Sequence, residues 1–330
     1  MHNVTIRSLQ ILYHGNCLDG VVSAALLSRF LCAGEATGAE VTFRAMGHGQ
    51  GDPYGADHDA TFWADLNAVV DFRYSPSPRL GWWCDHHFST FIAPQHRAQF
   101  EAHPRPARHR FDPQAPSCAG LLCRWLASDH GLDATPYAEL IHWADLIDSA
   151  RFDSPAQAVR LAEPALQLMA LLEAAPGDEL VRIMLDGLAL GDLAGVHGHP
   201  RIQAALTPVL ERHGREIALF GRRMTLQEGV AYVDLSADGV EGFNKFIPYH
   251  LSDGVRYTVV LTCSERRAKV SVGSNPWQRP EPLINIAELC SRHGGGGHPV
   301  VGAISMPPDQ LERARAAALE IRDRLRGPSP

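Results

Sequence analysis

Apolar and polar positions along the chain fall into two regimes. In the first half, short apolar runs alternate with longer helical patterns. Leu9 to His14 (LQILYH), Glu40 to Met46, Leu66 to Phe72 (LNAVVDF) and Leu80 to Cys84 (LGWWC) read as strands. Asp19 to Leu31 (DGVVSAALLSRFL) reads as a helix apolar on most faces, entered through the tight turn Gly15-Asn16-Cys17-Leu18. Ser117 reads as the cap of a helix reaching Ser128, and Pro136 opens another that runs through Trp143-Ala144-Asp145-Leu146-Ile147-Asp148. Segments 47–59 and 103–110 read as loops. Strands joined by crossover-length connections predict an α/β domain with a doubly wound, mainly parallel sheet.

From Ser154 to about Phe220 the pattern is helical, broken at Pro164, at Pro176-Gly177 and at Gly195 to Pro200. Beyond that the period shortens. Arg223 to Gln227, Ala231 to Leu235, Arg256 to Cys263 and Ala268 to Val272 read as strands with hairpin-like spacing. A helix from Asn285, a strand from Val300 to Met306 and an amphipathic helix from Asp309 to about Leu325 complete a smaller α+β domain with a mixed sheet. The expected organisation is a first domain over 1–195, a helical linker over 196–221 and a second domain over 222–330.

Composition narrows the function classes. The 330 residues are 45% hydrophobic and 20% charged, as in ordinary globular proteins. A formal charge of -7 opposes a long nucleic-acid track. It does not oppose a short nucleotide, because bound cations supply positive charge locally. The seven cysteines are scattered and form no CxxC pair, so neither a disulfide framework nor a zinc ribbon is indicated. The opening residues do not read as a signal peptide, and no apolar run reaches membrane-spanning length. A reduced, cytoplasmic protein without membrane contact is expected.

Candidate chemistry gathers at element ends: His14 with Asp19, then Asp71, then Cys84-Asp85-His86-His87, then Asp145 with Asp148. Singly, Asp19 reads as a helix cap, Asp71 as a turn residue and His14 as an interior histidine. Brought together on the carboxyl edge of one sheet, they read as a metal site. Oxygen-rich donor sets with one or two imidazoles suit Mn²⁺ or Mg²⁺. Far downstream, Gly294-Gly295-Gly296-Gly297 precedes His298. Lacking Cβ atoms, such a run lets backbone N–H groups approach a phosphate or base, and His298 can donate to the same group. Trp277 and Phe243 read as core residues, with base stacking as the rival use. Arg105, Arg108 and Arg110 read as a solvated basic loop, with substrate contact as the rival use.

In order, HGNCLDGVVSA (14–24), VVDF (69–72), CDHH (84–87), IDSARFDSP (147–155) and GGGGH (294–298) resemble the DHH phosphoesterase superfamily. The branch resembled carries the DHH-associated C-terminal domain; nanoRNases, phosphoadenosine-phosphate phosphatases, cyclic-dinucleotide phosphodiesterases and RecJ exonucleases belong to it. The resemblance implies a phosphoesterase with two Mn²⁺ ions in an interdomain cleft, Mg²⁺ or another divalent ion being the alternative. It implies that Asp71 bridges the ions, that His14 serves one, and that Asp19, His86 and a late aspartate serve the other. Asp148, followed four residues on by Phe152, fits the late position, with Asp145 as runner-up. Asp85 and His87 are the catalytic candidates, His87 facing the scissile phosphate. Substrate would be held by Gly294, Gly295, Gly296, Gly297, His298 and Asn275. Two positions depart from the family. Cys17 stands where relatives place an aspartate ligand, and Gly273 where many carry a phosphate-binding arginine.

The expected activity is hydrolysis of phosphodiester or phosphomonoester bonds in short oligonucleotides or small nucleotides. Phosphoadenosine phosphate, a cyclic dinucleotide or pyrophosphate are the alternative substrates. A sensor with a decayed hydrolytic site is the alternative from another class. Oligomeric state, with a homodimer as one option, is not legible.

Overall fold

The computed structural model describes residues 5–47, 51–102 and 106–327. The chain divides into two compact units, one of Met1–Phe152 with Ala162–Val209, the other of Asp153–Leu161 with Leu210–Pro330. The division falls inside one long helix, one residue after its internal Pro208.

The first unit runs β1 (Ser8–His14), α1 (Leu18–Ala33), β2 (Glu40–Met46), α2 (His58–Thr61), β3 (Leu66–Val70), β4 (Leu80–Asp85), α3 (Pro94–Glu101), β5 (His109–Phe111), α4 (Cys118–His130) and α5 (Ala138–Asp148). Its sheet has the order β2-β1-β3-β4-β5, and every pairing is parallel. β3 and β4 are buried along their whole length, which is why their sequences are apolar on both faces. The chain leaves β1 toward β2 on one side and returns to β3 on the other, so the switch point lies between β1 and β3. Open sheets of this kind place ligands at the carboxyl ends flanking that point. Register aligns Tyr13 with Val70 and Val70 with Cys84, which sets His14, Asp71 and Asp85 in one row. Tyr54, Phe62, Phe72, Tyr74 and Trp83 are buried against one face, and α1 packs against α4, α5 and β1.

The second unit takes α6 (Pro155–Arg160) from the middle of the chain. Between α6 and the rest lie α7 (Pro164–Glu173), α8 (Asp178–Leu188) and α9 (Leu193–Gly198), which belong to the first unit, and α10 (Pro200–Arg223), which the two units share. Then follow β6 (Thr225–Gln227), β7 (Val230–Leu235), α11 (Ile247–Leu251), β8 (Tyr257–Cys263), β9 (Ala268–Ser274), α12 (Ile286–Ser291), β10 (Gly296–His298), β11 (Val301–Met306) and α13 (Leu311–Arg326). The sheet order is β10-β11-β9-β8-β7-β6, antiparallel except for β7 with β8. α13 buries Ala314, Ala317, Ala318, Ile321 and Leu325. Val159 of α6 is buried with Phe220, Val233, Leu235 and Ile247, which ties that short helix to this unit.

Three expectations need correction. The stretch read as a basic loop contains β5, a three-residue edge strand too short to show alternation. Arg223 ends α10 instead of opening β6. Part of the glycine run is itself the edge strand β10, because backbone pairing with β11 needs no side chain. Arg105 lies outside the described residues.

Candidate metal centre

Each candidate side chain is delivered by an element end. His14 closes β1, and Asp71 follows β3 with φ at +53°, a left-handed turn that directs its carboxylate away from the strand. Asn16 makes a similar turn, at φ +58°, into α1. Gly20 allows α1 to start hard against β1. A Cβ there would lie 2.1 Å from the His14 carbonyl oxygen and 3.2 Å from Asp71 Oδ2.

Asp71 is 1% exposed, and neither of its oxygens has a hydrogen-bond partner. Around it stand His14 Nδ1 at 3.6 Å from Oδ2, and His86 Nε2 and His87 Nδ1 at 3.6 and 3.7 Å from Oδ1. His86 Nε2 is likewise buried without a hydrogen bond, 3.7 Å from Asp19 Oδ2 and 3.4 Å from Asp148 Oδ2. Three groups of potential ligand atoms lie within 4.8 Å of one another: His14, Cys17 and Asp71; Asp71, His86 and His87; Asp19, His86 and Asp148. Asp71 belongs to two of these groups.

Supporting contacts fix the donors. His86 Nδ1 lies 3.0 Å from the Ala115 carbonyl oxygen, so it donates there and turns Nε2 toward the carboxylates. Asp19 accepts from the backbone N–H groups of Cys118 and Ala119, both at 2.7 Å, at the start of α4. Burial, and then the charge of Asp148, still hold Asp19 up at about 6. Burial, with Asp19, Asp85 and Asp148 adding repulsion, holds Asp71 well above the ordinary carboxylate range. Buried carboxylates facing one another, Asp71 among them without a donor, carry an unfavourable charge arrangement that a divalent cation would reverse. The oxygen and imidazole set fits such a cation.

Two expected roles shift. Asp85 is fully buried, and its oxygens accept from His86 N, His87 N, His87 Nδ1 (2.8 Å) and the Thr90 hydroxyl. It therefore positions His87 and faces no ligand itself. Burial alone would lower the His87 pKa, but the Asp85 hydrogen bond and the charges of Asp85, Asp148 and Asp19 raise it above the ordinary value. Asp145 is not in the cluster. Its Oδ1 accepts from Ser117 Oγ at 2.5 Å and its Oδ2 is 3.4 Å from Arg124, three residues before Asp148 in the last turn of α5. Cys17 is the N-terminal cap residue of α1; burial, then Asp71 and Asp19, hold its thiol well above the usual range.

In the second unit, Asn275 is used by the fold. Its Nδ2 donates to Val255 O at 2.7 Å and its Oδ1 accepts from Trp277 N and Gln278 N, so the expected substrate contact is corrected to a buried turn clamp. Trp277 packs on Phe246 and Tyr249, a core use. Gly273 faces the Tyr249 hydroxyl, 3.1 Å from where its Cβ would be. Arg108 pairs with Glu35 at 2.9 Å and lies over the Trp82 ring. Of the glycine run, Gly294 has φ +78°, and Gly295 and Gly297 would clash with the carbonyl oxygens of Ala303 and Val301. Gly296 alone has open space and no left-handed backbone. Its side of β10 and His298 are exposed.

Sequence reasoning missed the backbone contributors Ala115, Cys118 and Ala119, which carry no side-chain signal. Phe88, one residue after His87, is 78% exposed.

No protein-family model and no curated protein sequence matches the chain. Solved structures do match it in fold. PggH, a pGpG-specific phosphodiesterase from Vibrio cholerae, aligns with TM-score 0.69 and 16% identity over 96% of this chain and 99% of its own. The DHH domain of a member of the s1p family of ribosomal proteins aligns with TM-score 0.51 and 11% identity over 96% and 86%. Manganese-bound exonuclease RecJ aligns with TM-score 0.50 and 15% identity over 96% and 90%.

Proposed function

We propose, with the DHH-domain fold as the premise, that this chain is a divalent-metal-dependent phosphoesterase that hydrolyses short linear nucleotides. The observation that carries the reading is Asp71: a fully buried carboxylate, without hydrogen-bond partners, shared by two groups of ligand atoms. In this reading Asp71 would serve two divalent-cation positions, His14 one of them, and Asp19, His86 and Asp148 the other. When bound, the ions supply charge neutralisation on phosphate oxygens and an activated water.

The chain's own groups do the rest. Asp85 holds His87 through Nδ1 and favours its charged form, which suits His87 to give a proton to the substrate. That proton serves a phosphate oxygen or the leaving oxygen. Ala115 and the start of α4 keep His86 and Asp19 in place while the substrate exchanges. In the second unit, Gly296 and His298 lie on an exposed strand edge, and the fold itself makes no demand for glycine at 296.

Linear dinucleotides are the preferred substrate class. The supporting likeness is to a pGpG phosphodiesterase that matches almost end to end. A formal charge of -7 suits small substrates over a polymer. No helix among the described residues is long and apolar enough to cross a membrane. All seven cysteines are unpaired, which suits the reducing cytoplasm in which we place the protein.

The test is a panel assay with Mn²⁺ covering pGpG, other linear dinucleotides, five-nucleotide RNA, cyclic dinucleotides, phosphoadenosine phosphate and pyrophosphate. Linear dinucleotides should be cleaved fastest, to mononucleotides. Turnover confined to pyrophosphate, or on no member of the panel, would overturn the proposal.

A further inference from the structure

Cys17 sits at the edge of this centre, and the phosphoesterase reading assigns it nothing. It occupies the cap position of the sixteen-residue α1, with an extended backbone at φ -131° and ψ 137° and its sulfur near the Gly20 backbone N–H. A serine, threonine or aspartate there would ordinarily cap the helix. The sulfur also falls within 4.8 Å of ligand atoms of His14 and Asp71. Asp71 supplies an independent pointer to a cation, being 1% exposed with both oxygens unpartnered and its Oδ2 on the His14 side.

We infer that Cys17 is a metal ligand: with His14 and Asp71 it forms a subsite of one sulfur, one nitrogen and one oxygen that takes a borderline cation such as Fe²⁺, Co²⁺ or Zn²⁺ in preference to Mn²⁺. The inference rests on the metal-centre reading and adds to it an asymmetry. The neighbouring group of Asp19, His86 and Asp148 offers only oxygen and nitrogen and suits a hard cation. Asp71 joins the sulfur-bearing position to His86, which in turn belongs to the oxygen-rich group. Thiolate favours the later, more thiophilic ions, and the N-terminal end of α1 favours a negative sulfur at its cap. On coordination the S–H bond breaks, the S–metal bond forms and the proton passes to solvent; no oxidation state changes.

The experiment is an anaerobic titration of metal-free protein with Co²⁺, read by absorbance, in the wild type, C17S and C17D. Melting of the metal-free proteins verifies that each variant folds, and C17D keeps the test open should C17S fail to fold. The wild type should develop a near-ultraviolet sulfur-to-cobalt charge-transfer band within the first equivalents. Both variants should lose that band while retaining the weaker visible bands of cobalt bound to oxygen and nitrogen, and C17D should shift competition toward Mn²⁺. Stoichiometric Co²⁺ binding without the band, or a band that survives both substitutions, would show that Cys17 is no ligand and leave the metal centre standing. Absence of any Co²⁺ or Mn²⁺ binding would defeat the metal centre itself, and this inference with it.

Discussion

Asp71 combines a left-handed backbone at φ +53° with complete burial of an unpartnered carboxylate. Each feature is destabilising, the first by about 1 kcal/mol. Together they mark strain held for a ligand. The folded state raises the pKa of Asp71 by burial and then by repulsion from Asp19 and Asp85, and holds Asp19 at about 6. A carboxyl group whose folded pKa is raised contributes stability below its unfolded value of about 3.9, lost as pH rises through the folded value. Metal-stripped protein should therefore weaken between about pH 4 and 6, the window set by Asp19. Asp71→Asn, which tolerates the same backbone, should melt a few degrees above metal-stripped wild type at pH 7.5. Calorimetry at pH 4 should show that advantage shrinking. Added Mn²⁺ should raise the melting point of the wild type alone. Gly20→Ala places a methyl group against the His14 carbonyl and Asp71. It should cost about 1–3 kcal/mol in denaturant melts and lower metal content as well. Phe88→Ala should raise KM for a linear dinucleotide by about 5- to 150-fold if the exposed ring stacks a base. Unchanged steady-state constants would remove it from the site.

At the level of elements, the ends of β1, β3 and β4 were legible, because parallel strands buried on both faces announce themselves as apolar runs that stop at polar residues. The helix cap Ser117 was legible for its short side-chain acceptor, and the helix expected from Asn285 does begin there, with Asn285 as its cap. What failed had local causes. β5 is three residues on an edge, and β10 is built of glycine and histidine, so neither shows alternation. Asp145 and Asp148 occupy one helix end, and which of them meets His86 depends on Ser117 and Arg124 claiming the other. Asn275 looked like a free polar residue because its Val255 carbonyl partner lies twenty residues away, although Trp277 N and Gln278 N, its other two partners, form a local turn. The glycine run yields a graded prediction. Gly295→Ala should destabilise the second unit, its Cβ falling 2.3 Å from Ala303 O. Gly296→Val should fold as wild type and raise KM for a linear dinucleotide. His298→Ala should cost about 1.5–3 kcal/mol, or roughly 10- to 150-fold in kcat/KM. Bis-p-nitrophenyl phosphate, lacking a nucleoside, should respond to neither, and equal losses on both substrates would assign the run to structure or to the chemistry.

On the scale of the whole molecule, the change from helix-bearing parallel strands to a mostly antiparallel sheet was visible as a change of period. The transfer of 153–161 to the second unit was not, since Val159 and the Ala158 carbonyl gain their partners, Phe220 and Asn244, more than sixty residues away. The seven potential donors His14, Cys17, Asp19, Asp71, His86, His87 and Asp148 span 135 residues and come together because one sheet edge collects the ends of β1, β3 and β4 beside α1 and α5. That convergence is the central claim, and metal content tests it most directly. Wild type and Asp71→Asn would be loaded with Mn²⁺, freed of excess and measured for bound metal per folded chain. Two ions in the wild type and a marked loss in Asp71→Asn are expected. Equal metal content in both proteins, or none in the wild type, would contradict the account.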